Sequence, residues 1–326
     1  MTEIDVSIII VSRNVSDLLR DCLKSIFDSS NDLTIEVIVV DNASTDDTVS
    51  MTSSLYPQVK LIVNQENVGF PKANNQAVRL ANGRYILFLN PDTIVSPGTL
   101  HKMVDFMDLN NSIGALGPKI LDSDGNVQYD CARNFPDLWG CLTEISFLRR
   151  IFPKSYYFGH QYMSYWDHHD SRSVPCLVGA AMLVRRAALE SIGWFMDETI
   201  PMYFEDVDYC YRIHQSGWGI YYFSEAIIKH WGSQSTKKSN NQVRYELLKW
   251  EAYRLFFERY RSPREVLLLR GMVFTFGIVR IPFISIGILL RPLLPPSIRP
   301  FFSHFTIRKS IALVGWSLGI VSHSRE

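Results

Sequence analysis

The chain opens on an apolar run, Val6 to Val11, and similar runs recur at Ile35 to Val40, Val59 to Val63 and Tyr85 to Leu89. Each predicts a strand; Val6 to Val11 is expected to be buried, and Tyr85 to Leu89, five residues without charge, to be buried on both faces of a parallel sheet. Helical periodicity fills the gaps. Leu18, Leu19, Cys22, Leu23, Ile26 and Phe27 recur at helical spacing behind Ser16, the expected N-cap. Asp46 and Asp47 open a second, short helix, where negative charge suits the N-terminal dipole. Ala73, Ala77, Leu80 and Ala81 mark a third, behind a turn at Gly69. Strand and helix alternating in this way predict a doubly wound α/β sheet of the nucleotide-binding kind. The run Tyr85 to Leu89 ends at Asn90-Pro91-Asp92. Pro91 cannot donate to a ladder, so the strand stops and leaves Asp92 at the carboxyl end of a central strand, the edge where open α/β sheets bind ligands.

Further on, Gly114 to Leu121 predicts another strand, and Asp122 to Asn126 (DSDGN) a tight turn. Residues 129–174 are irregular and rich in aromatics, and form the expected acceptor-side loop region. Their rings are expected to pack rather than to form a stacking platform, and the pair His168-His169 to be solvated. Val174 to Arg185 resumes strand character around Gly179-Ala180-Ala181. A helix is expected from Glu205 to Ser216, followed by two short strands, Ile220 to Phe223 and Ala226 to Lys229.

Composition refines this picture. The 326 residues, 47% hydrophobic and 20% charged, suit one large α/β domain with an appendage, or two domains. The five cysteines are scattered, odd in number and free of CxxC pairs, which favours reduced thiols in a cytosolic compartment over a disulfide framework or a zinc site. The polar start lacks the basic and apolar regions of a secretory leader, so none is expected. The net charge of zero hides an asymmetry: from Arg259 onward ten Lys or Arg face only Glu265 and Glu326. A basic, apolar end on an acidic body points to an anionic surface, the inner leaflet of a membrane. Gly271 to Leu290 is long enough to span a bilayer, yet Arg280 and Pro282 sit at its middle. A central arginine costs about 2.5–3.5 kcal/mol on insertion scales. Arg270, Arg280, Arg291 and Arg299 recur at wide intervals, as arginines reaching a headgroup layer would. Peripheral, in-plane helices are therefore favoured over a spanning or re-entrant segment and over a dimerisation surface.

No GxGxxG follows the first strand and no GxxxxGK[ST] loop exists, which removes the dinucleotide and P-loop readings. Instead, polar side chains stand at three strand ends: Arg13 and Asn14, Asp41 and Asn42, Asn90 and Asp92. Such a set can grip a base, a ribose and a metal-bound diphosphate. A second cluster, Glu205, Asp206 and Asp208, puts three carboxylates in four positions, which is costly unless a cation or a reaction uses them. Asp208 has Arg212 four residues on as a partner. Glu205 and Asp206 are left as the candidate base. His230, at a strand end beside Gly232, is placed to bind a metal.

The segments VVDNASTDDT, NVGFPKANN, FLNPDT, GAAMLVRR, FEDVDYCYR and KHWGS, in this order, resemble inverting glycosyltransferases of family 2 with the GT-A fold. The likeness is nearest to bacterial rhamnosyltransferase-type members that build surface polysaccharides, and it spans Val6 to Ser235. Asn90-Pro91-Asp92 stands where the family often has Asp-x-Asp. The resemblance implies Mg²⁺ or Mn²⁺ held by Asp92 and His230, and Asp206 as the general base, with Glu205 as the alternative. Asp41 and Arg13 would hold the nucleoside, Asn67 and Asn74 the nucleoside or diphosphate, with Asn42 and Asn90 in the same nucleotide-sugar set. It implies a GT-A domain over 1–240, its nucleotide-binding half about 1–120 and its acceptor half about 121–240, with a helical, basic and apolar region over 241–326. The first expected donor is dTDP-rhamnose, with a UDP-hexose or UDP-N-acetylhexosamine behind it, and the acceptor is a lipid-linked glycan. No nucleic-acid partner is expected, and a homo-oligomer is left open. Two other readings compete: a catalytically silent nucleotide-sugar or glycan-binding module at the membrane, and a nucleotidyltransferase, which would want a glycine-rich basic loop where Ser12-Arg13-Asn14 stand.

Overall fold

The computed structural model describes residues 3–30, 32–200, 204–232, 242–293, 299 and 303–320. Ser233, which closes the KHWGS segment, lies outside them, as does Ser235, the last residue of the family likeness. In chain order the elements are β1 (Val6–Ser12), α1 (Ser16–Ser29), β2 (Ile35–Asp41), α2 (Thr48–Leu55), β3 (Lys60–Val63), α3 (Phe70–Val78), β4 (Tyr85–Leu89), β5 (Thr93–Val95), α4 (Thr99–Leu109) and β6 (Ile113–Leu121). Then come β7 (Ala132–Arg133), α5 (Leu138–Ile145), α6 (Leu148–Ile151), β8 (Arg172–Ser173), β9 (Cys176–Leu177), β10 (Ala181–Arg185), α7 (Arg186–Ser191), α8 (Glu205–Gln215) and β11 (Gly219–His230). Three helices close the series: α9 (Gln242–Tyr260), α10 (Pro263–Leu289) and α11 (His304–Ser317). These elements fall into two compact units, one of residues 1–135 and 162–234, the other of residues 136–161 and 235–326. The stretch 136–161, read from sequence as part of the acceptor half, thus groups with the C-terminal helices.

The first unit is built on a mixed sheet of order β3-β2-β1-β4-β10-β6-β11-β5, with β8 on the edge of β11. Its parallel half is the one the apolar runs announce, β3-β2-β1-β4. Ile8, Ile9, Ile10, Val37 to Val40 and Ile86 to Leu89 are all buried in it. On its other side β4 pairs with antiparallel β10. Two short strands expected near the end are one, β11, with a register shift between Phe223 and Ile227 where the ladder with β6 is interrupted. Strand β5, three residues after a proline, carries too little pattern to show in the sequence; it pairs antiparallel with β11 and sets Thr93 opposite His230. Ser16 is not a cap: it is the first residue of α1, and its N–H is taken by Asp46 Oδ2 at 3.1 Å. His168 is not solvated: it is buried, stacked on Trp166 with centroids 4.0 Å apart and edge-on to Tyr222.

The second unit is helical. Helix α10 runs for 27 residues from a capping box made by Ser262 and Glu265. Leu269, Val273, Gly277, Ile284 and Gly287 form its buried stripe, and a Cβ at Gly277 would stand 2.7 Å from Val314 Cγ2 of α11. The opposite side is as apolar but exposed, at Leu267, Leu268, Ile278, Val279, Phe283, Ile286 and Leu289. Among the described residues it is the one helix long and apolar enough to cross a membrane.

Candidate active site

Parallel pairing puts the carboxyl ends of β1, β2 and β4 at one edge, with Ser12 in register with Asp41 and Ile10 with Leu89. Strands lie about 4.8 Å apart, so the Asp41 backbone is about 10 Å from the end of β4. Asp41 is buried, and its Oδ2 accepts the Ser44 N–H at 3.0 Å. Its Oδ1 is buried and has no hydrogen-bond partner among the described residues, and the same holds for Ser12 Oγ beside it. A buried acceptor left open costs about 1–3 kcal/mol, which a ligand N–H at this point would recover. Arg13 is exposed at the rim. Asn14, at φ 55°, braces the next loop, its Oδ1 accepting the Thr45 N–H at 2.7 Å.

Asn42 donates to Asn67 Oδ1 at 2.7 Å and accepts the Val68 N–H at 3.0 Å, and Asn67 Oδ1 also accepts the Gly69 N–H at 3.2 Å. These bonds shape the turn that feeds α3, where Gly69 takes a φ of 87° that a side chain would resist. Asn74 is turned into its own helix, donating to the Phe70 carbonyl at 2.9 Å. Asn75 ties α3 to the segment before α8, donating to the Met196 carbonyl and accepting the Met196 N–H, both at 2.9 Å.

Asn90, Asp92 and His230 come together because β5 turns back along β11. Asp92 Oδ1 lies 3.3 Å from His230 Nε2, and Asn90 Nδ2 lies 3.4 Å from the same nitrogen. Gln128 orients the ring. Its Nε2 donates to the His230 carbonyl at 2.8 Å, which turns its Oε1 to His230 Nδ1 at 3.0 Å. Nδ1 therefore carries the proton, and in the neutral ring the Nε2 lone pair faces the Asp92 carboxylate. Two acceptors so close call for a cation between them, either a proton on Nε2 or a metal ion. The pair thus fits a divalent cation whose remaining ligands are oxygens from elsewhere; no group of three or more His, Cys, Asp or Glu is assembled among the described residues.

Asp206 reaches the same edge through the backbone before β10. Its Oδ2 accepts the Gly179 N–H at 2.9 Å, and the next carbonyl, of Ala180, accepts the Asn90 N–H at 2.9 Å. Its Oδ1 accepts the Val207 N–H at 2.8 Å and meets the Arg133 guanidinium at 2.6 Å. This arginine, on β7 within the irregular stretch, is the residue the sequence concealed, as is Gln128. Burial opposes the charge on Arg133, but the Asp206 carboxylate, with smaller contributions from Cys176 and Tyr162, holds the guanidinium above its ordinary pKa. Glu205, also buried, accepts the Phe204 N–H at 2.9 Å. Asp208 pairs with Arg212 at 2.8 Å, one turn on as its spacing suggests.

Comparison with known proteins shows the family and the fold. The sequence profile of the family described as Glycosyl transferase family 2 matches residues 7–193, more than half of the chain. The N-acetylglucosaminyl-diphospho-decaprenol L-rhamnosyltransferase of Mycobacterium tuberculosis is 32% identical over 214 residues, covering 62% of this chain and 68% of that protein. The O-antigen biosynthesis protein RfbC of Myxococcus xanthus is 27% identical over 252 residues, 76% of this chain and 19% of that protein. Among solved structures, the mannosyltransferase PcManGT from Pyrobaculum calidifontis, in complex with GDP-Man and Mn²⁺, superposes with a TM-score of 0.55 at 15% identity, covering 98% of this chain and 88% of that one. The S. aureus TarS fragment 1-349 does so with a TM-score of 0.51 at 16% identity, covering 97% and 92%. At these identities the structural likeness speaks for the fold, which is GT-A.

Proposed function

Because the chain belongs to glycosyl transferase family 2 and is a rhamnosyltransferase-like glycosyltransferase of bacterial surface-glycan synthesis, we propose that it moves L-rhamnose from dTDP-rhamnose to a lipid-linked glycan, inverting the anomeric centre. The rhamnosyl donor and the polyprenyl-diphosphate type of acceptor follow the name of the mycobacterial relative. A UDP-hexose or UDP-N-acetylhexosamine is the alternative donor. The observation that carries the reading is the Asp92–His230 pair, a carboxylate oxygen and a ring nitrogen 3.3 Å apart at the edge where β4 ends.

In this reading Asp92 and His230 hold Mg²⁺ or Mn²⁺, with Gln128 fixing the imidazole. The bound ion supplies charge neutralisation for a departing diphosphate. Asp41 Oδ1 accepts the imide N–H that thymine and uracil share, Ser12 Oγ stands beside it, and Arg13 covers the nucleoside from the rim. Asn42 and Asn67 set the loop that closes on it, Asn74 stiffens the start of α3, and Asn90 lies against the diphosphate. Asp206 takes the proton of the acceptor hydroxyl at Oδ2, which has one protein donor and therefore a lone pair to spare. Glu205 is the alternative base. Residues 1–240 would act as the transferase domain and 241–326 as a peripheral attachment to the cytoplasmic face of the membrane, with the exposed side of α10 as its apolar contact.

Calorimetric titration with dTDP and UDP in Mn²⁺ tests the nucleotide site. Wild type is expected to bind one of them, and Asp41→Ala to bind it about 10–150-fold more weakly, the loss of a hydrogen bond to a charged acceptor. Equal binding by Asp41→Ala, or binding of neither nucleotide, overturns the assignment.

A further inference from the structure

The helical unit holds a pocket of about 280 Å³, lined by Phe147, Trp250 and Leu313 on its apolar side and by Arg150, Arg280 and Lys309 on its cationic side. The charges around it do not balance. Glu144 meets Arg149 at 2.7 Å and Lys249 at 3.1 Å. Glu246 meets Lys249 at 3.1 Å and Lys309 at 3.7 Å, and accepts the Trp250 indole N–H at 3.1 Å. The two carboxylates are thus engaged by Arg149, Lys249 and Lys309, and no carboxylate among the described residues pairs with Arg150 or Arg280.

Arg280 is the more telling of the two. It sits in the middle of an apolar helix, with its guanidinium 3.9 Å from the Phe147 ring centroid. Its Nε is buried without a hydrogen-bond partner among the described residues. Burial, and to a lesser degree repulsion from Arg150, lowers its pKa to about 10, against the pull of Glu246. Arg150 is exposed and leans over the same ring at 5.4 Å. A desolvated donor without an acceptor, as Arg280 Nε is, is costly, and the exposed guanidinium of Arg150 over the same ring adds like charge beside it. A tetrahedral oxyanion satisfies both: it offers several acceptor oxygens and the charge that the cluster lacks, and guanidinium forks fit phosphate oxygens in bidentate fashion. The same unit says where such a phosphate would come from. Val279 and Phe283, one residue before and three after Arg280, belong to the exposed apolar side of α10, so a phosphate at the arginines has apolar surface on which to lay a hydrocarbon chain.

We propose that this pocket receives the phosphate group of a membrane lipid, with the lipid's chain along the exposed side of α10. The proposal rests on the membrane-surface reading of the helical unit given above, and the test separates the two. Flotation with vesicles of phosphatidylcholine alone, and of phosphatidylcholine containing phosphatidic acid, is compared for the full-length protein and for Arg280→Leu and Arg150→Gln. Thermal unfolding with inorganic phosphate runs alongside. Wild type is expected to bind both vesicles and to prefer phosphatidic acid. Each variant should lose about fivefold of that preference, one cation's share at a membrane surface, while still binding phosphatidylcholine. Arg150 is exposed, so its variant keeps the test valid if Arg280→Leu misfolds. A preference unchanged in both variants overturns the pocket and leaves the membrane reading standing. Stabilisation by inorganic phosphate without preference for phosphatidic acid overturns the lipid source. Failure of the wild type to bind either vesicle removes the membrane reading, and the proposal with it.

Discussion

Replacing Arg133 by Met should unfasten the Asp206 carboxylate without changing the shape of its surroundings much. The two side chains are 13% and 6% exposed and meet at 2.6 Å, so neither charge can turn to water. With charge centres about 4 Å apart and an effective dielectric constant of about 20, their attraction is about 4 kcal/mol. Removing one member of a buried pair costs a similar amount, about 3–5 kcal/mol, because the survivor is left buried. The Gly179 and Val207 N–H groups still hold Asp206 in the variant, which places Arg133→Met at the lower end, about 3 kcal/mol. Asp206→Asn strands the guanidinium instead and should cost a comparable amount. The double variant has no unpaired charge and should be less destabilised than the two singles together, by about 2–3 kcal/mol. Urea unfolding of all four proteins, followed by intrinsic fluorescence, measures this cycle. Costs that add to within about 0.5 kcal/mol would mean that the pair is a contact without energetic consequence and that Arg133 does not hold Asp206.

Two further outcomes are expected. Gln128→Leu removes the acceptor that keeps the proton on His230 Nδ1, so Mn²⁺ affinity measured by electron paramagnetic resonance in the presence of dTDP should fall about 10–100-fold; affinity within about twofold of wild type would deny Gln128 this role. Burial, opposed in part by the bond to the Trp166 carbonyl, holds His168 below its ordinary value of 6.5. The unfolded chain therefore takes a proton near that value that the folded one refuses, and this contribution to stability is lost as pH falls below about 6.5. His168→Phe should flatten the stability profile between pH 7 and 5, on the order of that pKa window, and an unchanged slope would assign the dependence to other groups.

Much of the parallel half of the sheet was legible because its information is local. Apolar runs such as Ile8 to Ile10 and Tyr85 to Leu89 define strands, and the polar residues that follow them must stand at the strand ends, so Asp41 and Asp92 could be placed before any tertiary contact was known. What the sequence hid is carried by contacts across long stretches of chain. Gln128 reaches His230 across 102 residues, and Arg133 sits on a strand of two residues inside a segment without period. Neither has a local signature, since Gln128 owes its place to β6 lying beside β11 and Arg133 to the pairing of β7 with β9. The burial of His168 was invisible for the same reason, because a polar pair in an irregular loop reads as solvated until Trp166 and Tyr222 close on it. In the helical region the apolar character of α10 was plain. Which side of it packs was not, because hydrophobic residues surround the helix and only Gly277 against Val314 and the neighbouring contacts fix its rotation.

The most direct test of the central claim is sugar transfer itself, measured with dTDP-rhamnose and a panel of UDP-sugars in Mn²⁺ or Mg²⁺, with a membrane extract as the acceptor source, for wild type, Asp92→Ala and Asp206→Asn. One donor is expected to turn over only with metal, Asp92→Ala to lose this metal dependence along with activity, and Asp206→Asn to bind the donor but transfer it at least about a hundredfold more slowly, as the loss of a general base entails. Turnover of no donor, or wild-type rates from Asp206→Asn, would contradict that claim.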